Sequence, residues 1–228
     1  MKIGILQTAP NNCAFLDSLC RKSGVQLVNF VDEAVWEVVL NSGGQVTERV
    51  HDILAEDFMR LIEAGCDSIG LLCSLVKPGI EKVREKVPMP IIVYDDVQAE
   101  RAVAVTPEGG KIAVVAMKDT PLEPSKKAVL EAAVRAGKNI AVETICVESA
   151  KNCLAETGSE ALADEYFIRY LRENQDRYSA FVIPQVPLSR IMVKIRDLKT
   201  PVFDSMEPFV DKLINGACSG FEAGLIKK

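Results

Sequence analysis

Residues 64–74 have the sequence Ala64-Gly65-Cys66-Asp67-Ser68-Ile69-Gly70-Leu71-Leu72-Cys73-Ser74. The apolar run in this stretch is too short for an ordinary helix and is typical of a strand buried in a parallel sheet. The second half of the chain contains a similar run, Tyr178-Ser179-Ala180-Phe181-Val182-Ile183-Pro184-Gln185. The first run ends in a thiol and the second in a glutamine. Because an internal repeat indicates a duplicated structural unit, we expect a doubled α/β fold with one reactive thiol.

Short β-rich runs alternate with helical stretches along the whole chain, the pattern of parallel sheets covered by helices. We predict eight strands, at Ile3–Thr8, Val25–Val31, Ser68–Ser74, Pro90–Asp95, Lys111–Met117, Asn139–Cys146, Ala180–Val186 and Pro201–Asp204. Helical periodicity predicts helices at Val46–Glu63, Ala99–Thr106, Leu122–Ala136 and Glu160–Glu173. The run Lys2–Leu6 matches Lys111–Val115, so each half begins with an equivalent strand.

Two architectures are compatible with eight β/α units. One is a TIM barrel, which usually needs about 250 residues. The other consists of two open sheets of four strands each. The repeat and the turn Pro107-Glu108-Gly109-Gly110, a predicted crossing point between two lobes, favour the open sheets.

Composition excludes several classes of function. The net charge is −5, and no long cluster of Lys and Arg is present, which argues against binding to nucleic acid. No apolar run is long enough to cross a membrane, and the first segment lacks the pattern of a signal peptide. The seven cysteines include no C-x-x-C pair, so neither a disulfide framework nor a zinc site is indicated. We therefore expect a cytoplasmic protein.

Motifs for the common cofactors are also missing. The chain has no G-x-G-x-x-G after its first strand and no P-loop. His51 is its only histidine, so a mechanism that needs two imidazoles is excluded, and we expect a structural role for this residue. Nor does any His, Cys and carboxylate spacing indicate a metal site.

The remaining candidates lie at the carboxyl ends of the predicted strands, where open α/β sheets bind ligands. These residues are Gln7, Thr8, Asp32, Glu33, Cys73, Ser74, Asp95, Asp96, the run 117–120, Gln185, Asp204 and Ser205. Cys73 is the only cysteine that ends a strand ahead of a polar loop, although Cys146 comes close to that description. A helix predicted near Ile80 would bring backbone N–H groups towards the Cys73 thiol or a bound carboxylate. Cys73 could also be a small residue that closes its strand, and the acidic residues could be helix caps.

Several of these segments together resemble the aspartate/glutamate/hydantoin racemase superfamily. The resemblance rests on Leu71-Leu72-Cys73-Ser74, Ile183-Pro184-Gln185, Pro201-Val202-Phe203-Asp204-Ser205 and Ile112-Ala113-Val114-Val115-Ala116, with Thr120 following the last. It implies two similar Rossmann- or flavodoxin-like lobes, each with a parallel four-stranded sheet, related by a pseudo-twofold axis. We expect the lobes to comprise residues 1–97 with 206–228, and residues 98–205. The active site is expected in the cleft between them.

The resemblance also implies a cofactor-independent active site with two cysteines that exchange the α-proton of a small carboxylate. Cys73 matches the first cysteine, whereas Gln185, or Pro184 if the alignment shifts by one, takes the place of the second. An amide cannot act as a general acid or base at useful pH, so two-base racemisation is in doubt. We expect Ser74, Thr120 and Ser205 to bind carboxylate, and we count Thr8 with them as a substrate-binding residue. Gln7 is expected to donate a hydrogen bond to the substrate.

Two other functions stay open at this point. One is a one-cysteine decarboxylase or isomerase, although the decarboxylases of the superfamily retain the cysteine of the second half. The other is a protein that has lost catalysis and that binds a small carboxylate or has a regulatory role. A homodimer is the commonest association for such a chain.

Overall fold

The computed structural model describes residues 1–204 and 206–224, which form two parallel sheets of four strands each. The first contains β1 (Lys2–Gln7), β2 (Gln26–Val31), β3 (Ser68–Leu72) and β4 (Ile91–Val93) in the order β2-β1-β3-β4. The second contains β5 (Lys111–Ala116), β6 (Ala141–Cys146), β7 (Ala180–Val182) and β8 (Val202–Phe203) in the order β6-β5-β7-β8. The identical order confirms the predicted repeat and the two open sheets.

Nine helices lie within the described residues: α1 (Cys13–Lys22), α2 (Glu33–Asn41), α3 (Glu48–Glu63), α4 (Ile80–Lys86), α5 (Tyr94–Val105), α6 (Leu122–Arg135), α7 (Glu148–Thr157), α8 (Glu160–Asn174) and α9 (Met206–Gly224). All five predicted helices are present, as α3, α4, α5, α6 and α8, although α5 begins five residues earlier than predicted. Seven of the eight strands are shorter than predicted, most of all β4 and β7, and β3 ends at Leu72, just before Cys73. Helix α5 begins at Tyr94, with Asp95 and Asp96 in its first turn, and β7 ends at Val182, shortly before a proline that cannot donate to a sheet.

Contacts divide the chain into a first unit, Met1–Tyr94 with Met206–Lys228, and a second unit, Asp95–Ser205. The turn at 107–110 is present, with a positive φ of 71° at Gly109, but it lies inside the second unit between α5 and β5. It is therefore not the crossing point. Residues 95–105 of α5 belong to the second unit, in which the buried Gln98 donates to the backbone oxygens of Ile183 and Phe203, at 2.7 and 2.6 Å.

The first unit buries one face of its sheet under α3, where Leu54, Phe58 and Leu61 are fully buried, as their helical spacing predicted. Helix α9 also packs on β3. A Cβ atom at Gly70 would lie 2.6 Å from Cζ of Phe209, so only glycine lets the aromatic ring approach the strand. His51 is buried on α3 and pairs through Nδ1 with Glu48 at 3.1 Å, which gives it the structural role that we expected.

The second unit has a core on each face of its sheet. Phe167 and Leu171 of α8 pack with Phe181 of β7, and Ala128 and Val129 of α6 belong to the cluster on the other side. Among the helices that the structure describes, none has the length and apolar character needed to cross a membrane.

Candidate functional site

The ends of β1 and β3 bring Thr8 and Cys73 together in the first unit. Gln7 is in register with Leu72, so the residues that follow them are neighbours at the carboxyl edge of the sheet. The Thr8 hydroxyl Oγ1 donates to Sγ of Cys73 at 3.0 Å. Both residues are buried, with exposed fractions of 7% and 8%. This hydrogen bond orients the thiol, whereas the contact of Thr8 with a substrate stays a prediction.

The segment after Cys73 is less regular than the sequence suggested. Ser74 follows directly and is half-buried, and a 3₁₀ turn at Lys77–Gly79 precedes α4. Helix α4 begins at Ile80, as predicted, but it is only seven residues long. Six residues separate its start from Cys73, and the predicted role of its backbone N–H groups at the thiol stays a prediction.

Gln7 has internal partners that the sequence did not indicate. Its Nε2 donates to Sγ of Cys13 at 3.1 Å and to Oδ1 of Asn29 at 2.9 Å. Both hydrogens of the amide are therefore used, which leaves none for the predicted donation to a substrate. Its Oε1 is buried and has no hydrogen-bond partner among the described residues. The group of Gln7 that remains available is therefore Oε1, a hydrogen-bond acceptor.

Register makes Gln185 the counterpart of Cys73. Ile3 pairs with Ser68 in the first sheet, and the equivalent Ile112 pairs with Ala180 in the second. Counting five residues onward from Ser68 and from Ala180 leads to Cys73 and to Gln185. The same count pairs Thr8 with Met117, the first residue after β5.

The second unit also repeats the contact that joins Thr8 and Cys73 in the first. The backbone N–H of Met117 donates to Oε1 of the half-buried Gln185, at 2.5 Å. Thus positions 8 and 73 of the first unit touch, and so do positions 117 and 185 of the second. The contact fixes the orientation of the Gln185 amide, so that its Nε2 is the group available as a donor. The second unit has a hydrogen-bonding group where the first has a thiol.

The remaining predicted carboxylate ligands are Ser74, Thr120 and Ser205. Thr120 is exposed in the loop between β5 and α6. Ser205 lies outside the described residues. The roles of Ser74, Thr120 and Ser205 in binding carboxylate stay predictions.

One strand-end carboxylate is a helix cap. Oδ1 of Asp32 accepts from the backbone N–H groups of Ala34 and Val35, at 2.9 and 3.1 Å, and so begins α2. Asp57 of α3 is buried near it and accepts from Nη1 of Arg60 at 3.1 Å. Burial and the neighbouring Asp32 carboxylate raise the pKa of Asp57 to about 7. Asp57 therefore keeps its proton up to near neutral pH, well above the ordinary range of a carboxyl group.

A polar cluster at the strand ends of the second unit was not predicted as a group. Nζ of Lys151 lies 2.7 Å from the Asp119 carboxylate and 3.4 Å from that of Glu148, and the half-buried Cys146 adjoins them. Burial, and then the Asp119 carboxylate, raise the pKa of Cys146 to about 11, while Lys151 lowers the pKa of Asp119. Asp119, Cys146 and Glu148 have the donor types of a metal site, but the Lys151 ammonium already supplies the positive charge there.

No protein-family model matches the chain, and no curated protein sequence matches it. Solved structures do match, however. An aspartate racemase homologue from Pyrococcus horikoshii is 18% identical, with a TM-score of 0.72 over 95% of this chain and 99% of that chain. Allantoin racemase from Klebsiella pneumoniae is 15% identical, with a TM-score of 0.65 over 96% and 89%. Glutamate racemase from Aquifex pyrophilus is 18% identical, with a TM-score of 0.60 over 94% and 83%. At these identities the likeness shows the fold, which is the one that the resemblance in sequence implied.

Proposed function

We propose that this chain is an enzyme of the racemase type in which the Cys73 thiol acts on a small carboxylate without a cofactor. The observation that carries the proposal is the hydrogen bond from Thr8 Oγ1 to Cys73 Sγ at the carboxyl edge of the first sheet. In an open α/β sheet this edge is where ligands bind. The similarity in fold to aspartate, glutamate and allantoin racemases supports the same class of chemistry.

The proposed role of Cys73 is that of a general acid and base, or of a nucleophile, at the carbon next to the substrate carboxylate. A donor hydroxyl on the sulfur holds it in place and supports negative charge on it as the proton leaves. Ser74, Thr120 and Ser205 are the proposed carboxylate ligands. The Nε2 group of Gln185, oriented by Met117, would add a donor that does not titrate.

Gln185 also supports a second candidate, a protein that binds a small carboxylate but does not turn it over. The position equivalent to Cys73 has lost its thiol, and a correctly placed acid or base typically contributes about 10²–10⁴-fold to the rate. A third candidate is a decarboxylase or isomerase that uses one cysteine, because either reaction could proceed with a single thiol.

Proton NMR in D₂O tests these candidates directly. Wild type, Cys73→Ala and Cys66→Ala are incubated with aspartate, glutamate, hydantoins, maleate and substituted malonates. Cys66 is a suitable control because it is buried in the same unit, two residues before β3. We expect deuterium entry, isomerisation or loss of carbon dioxide in wild type and Cys66→Ala, and none in Cys73→Ala.

Two results would decide against the enzyme. If Cys73→Ala retained every activity of the wild type, the assigned thiol would be wrong. If wild type were silent with all substrates but melted at a higher temperature in the presence of one of them, the binding protein would replace the enzyme as our conclusion.

A further inference from the structure

The buried amide of Gln98 closes the end of the second sheet. This residue of α5 is only 2% exposed, and its Nε2 donates to the backbone oxygens of Ile183 and Phe203, at 2.7 and 2.6 Å. Both hydrogens of the amide are used in this way. The last backbone bond between these strand ends runs from the N–H of Ile183 to the oxygen of Phe203, at 2.9 Å. Pro184 follows and has no N–H to continue the ladder, so a side chain from α5 holds the ends of β7 and β8.

The repeat shows that the fold does not require an amide at this place. Register makes Ile91 of β4 the equivalent of Val202 of β8, and counting seven residues onward leads to Gln98 and to Phe209. Phe209 of α9 is fully buried and packs on Gly70 of β3. An apolar ring therefore suffices in the first unit, where a thiol follows the third strand. The amide occurs in the second unit, where a glutamine takes the place of that thiol.

A short and stiff stretch of backbone connects Gln98 to Gln185. The oxygen of Ile183 belongs to the planar peptide group that leads to Pro184, and the proline ring fixes the next φ at about −65°. Only one soft torsion, ψ of Pro184, then separates this peptide group from Cα of Gln185. At the far end, Oε1 of Gln185 accepts from the backbone N–H of Met117 at 2.5 Å. Gln185 is thus held through its backbone on one side and through its amide on the other.

We propose that Gln98 is a positioning residue that sets the direction of the Gln185 carboxamide, so that Nε2 of Gln185 is presented in one orientation. Without the amide of Gln98, the carbonyl of Ile183 loses its donor and turns, and the bond from Met117 to Gln185 loosens with it. That Gln185 donates to a substrate belongs to the proposed function, on which the consequence for substrate binding rests. The orientation of the amide is measured without any substrate.

Hydrogen exchange and NMR of the ¹⁵N-labelled, full-length protein test this coupling. The exchange rate of the Met117 N–H, divided by that of Val114 in the middle of β5, measures local opening of the bond to Gln185. We expect Gln98→Met to raise this ratio about tenfold, because a buried carbonyl is left without its donor, and to move the side-chain amide signals of Gln185. The matched control is Thr106→Val, which removes a buried side-chain hydrogen bond at the end of the same helix and should change neither.

A double variant separates a positioning role from a general loss of stability. In Gln185→Met the N–H of Met117 has already lost its acceptor, so adding Gln98→Met should raise the ratio no further. An equal increase in both backgrounds would overturn the proposal, because Gln98 would then act on the whole unit rather than through Gln185. A folded Gln98→Met with the ratio and the Gln185 signals of the wild type would overturn it as well.

One measurement needs only the wild type, in case Gln98→Met fails to fold. The side-chain amide of Gln185, assigned by its absence from the spectrum of Gln185→Met, should be as rigid as ordered backbone, with an order parameter of about 0.85. A value below about 0.6 would mean that the amide is not positioned, and the proposal would fail. Since none of these readouts uses a substrate, silence of the wild type in the D₂O assay would count against the proposed function alone.

Discussion

Replacing Asp57 with asparagine should change how the stability of the protein depends on pH. The pKa of Asp57 is about 7 in the folded protein, because of burial and the Asp32 carboxylate, against an ordinary value of 3.8. Between these two values the folded state binds a proton that the unfolded state has released. The free energy of unfolding therefore falls as pH rises from about 4 to about 7, and changes little above that range.

The size of the effect follows from the two pKa values. Each pH unit between the two pKa values lowers the free energy of unfolding by about 1.4 kcal/mol. Between pH 5 and pH 8 the wild type therefore loses about 2–3 kcal/mol of stability. Asp57 is only 2% exposed, so solvent screens this effect little. The amide introduced by Asp57→Asn would be neutral at both pH values, so the variant should lack this part of the pH dependence.

Urea denaturation of wild type and Asp57→Asn at pH 5, 6, 7 and 8 measures the difference. Between pH 5 and pH 8 the free energy of unfolding of the variant should rise by about 2–3 kcal/mol relative to that of the wild type. Asp17→Asn is a matched control, since this carboxylate forms an exposed pair with Arg21 and should change stability by less than about 1 kcal/mol. If the difference between wild type and Asp57→Asn were the same at pH 5 and pH 8, the assigned carboxyl pair would be refuted.

Two further predictions concern packing and helix capping, and both are measured by urea denaturation. Gly70→Ala should destabilise the protein by about 1–3 kcal/mol, because the new methyl group would lie 2.6 Å from Cζ of Phe209. Adding Phe209→Leu to this variant should recover part of the lost stability. Lys138→Met should cost about 1–3 kcal/mol because Nζ donates to three backbone oxygens at the end of α5, at 2.7 to 3.2 Å. Lys127→Met, on the exposed face of α6, should have almost no effect, and equal losses in the two lysine variants would contradict the capping role.

The two units share one contact between residues at their strand ends but differ in the chemical groups that make it. In each unit the residue after the first strand touches the residue that follows the third, through Thr8 and Cys73 or through Met117 and Gln185. A side-chain hydroxyl holds the thiol in one, and a backbone N–H holds the amide in the other. Duplication explains the common geometry, while the residue at one position decides whether a thiol or an amide stands there.

Local pattern determined most of the architecture. Buried strands in parallel sheets are short apolar runs, and α3 has an apolar stripe at helical spacing, so both could be recognised without a partner. The position of Cys73 at a strand end followed from the same pattern. Strand boundaries were less certain, because whether Tyr94 extends β4 or begins α5 depends on tertiary packing rather than on its own preference.

The contacts of the candidate site could be decided only by tertiary structure. The sequence places Gln7, Thr8 and Cys73 at strand ends, but it does not say that the amide of Gln7 points to Cys13 and Asn29 while the hydroxyl of Thr8 points to Cys73. Nor does it indicate that Asp57 is buried beside a second carboxylate. These facts depend on the register between strands and the approach of distant helices, whereas periodicity records only which face of each element is apolar.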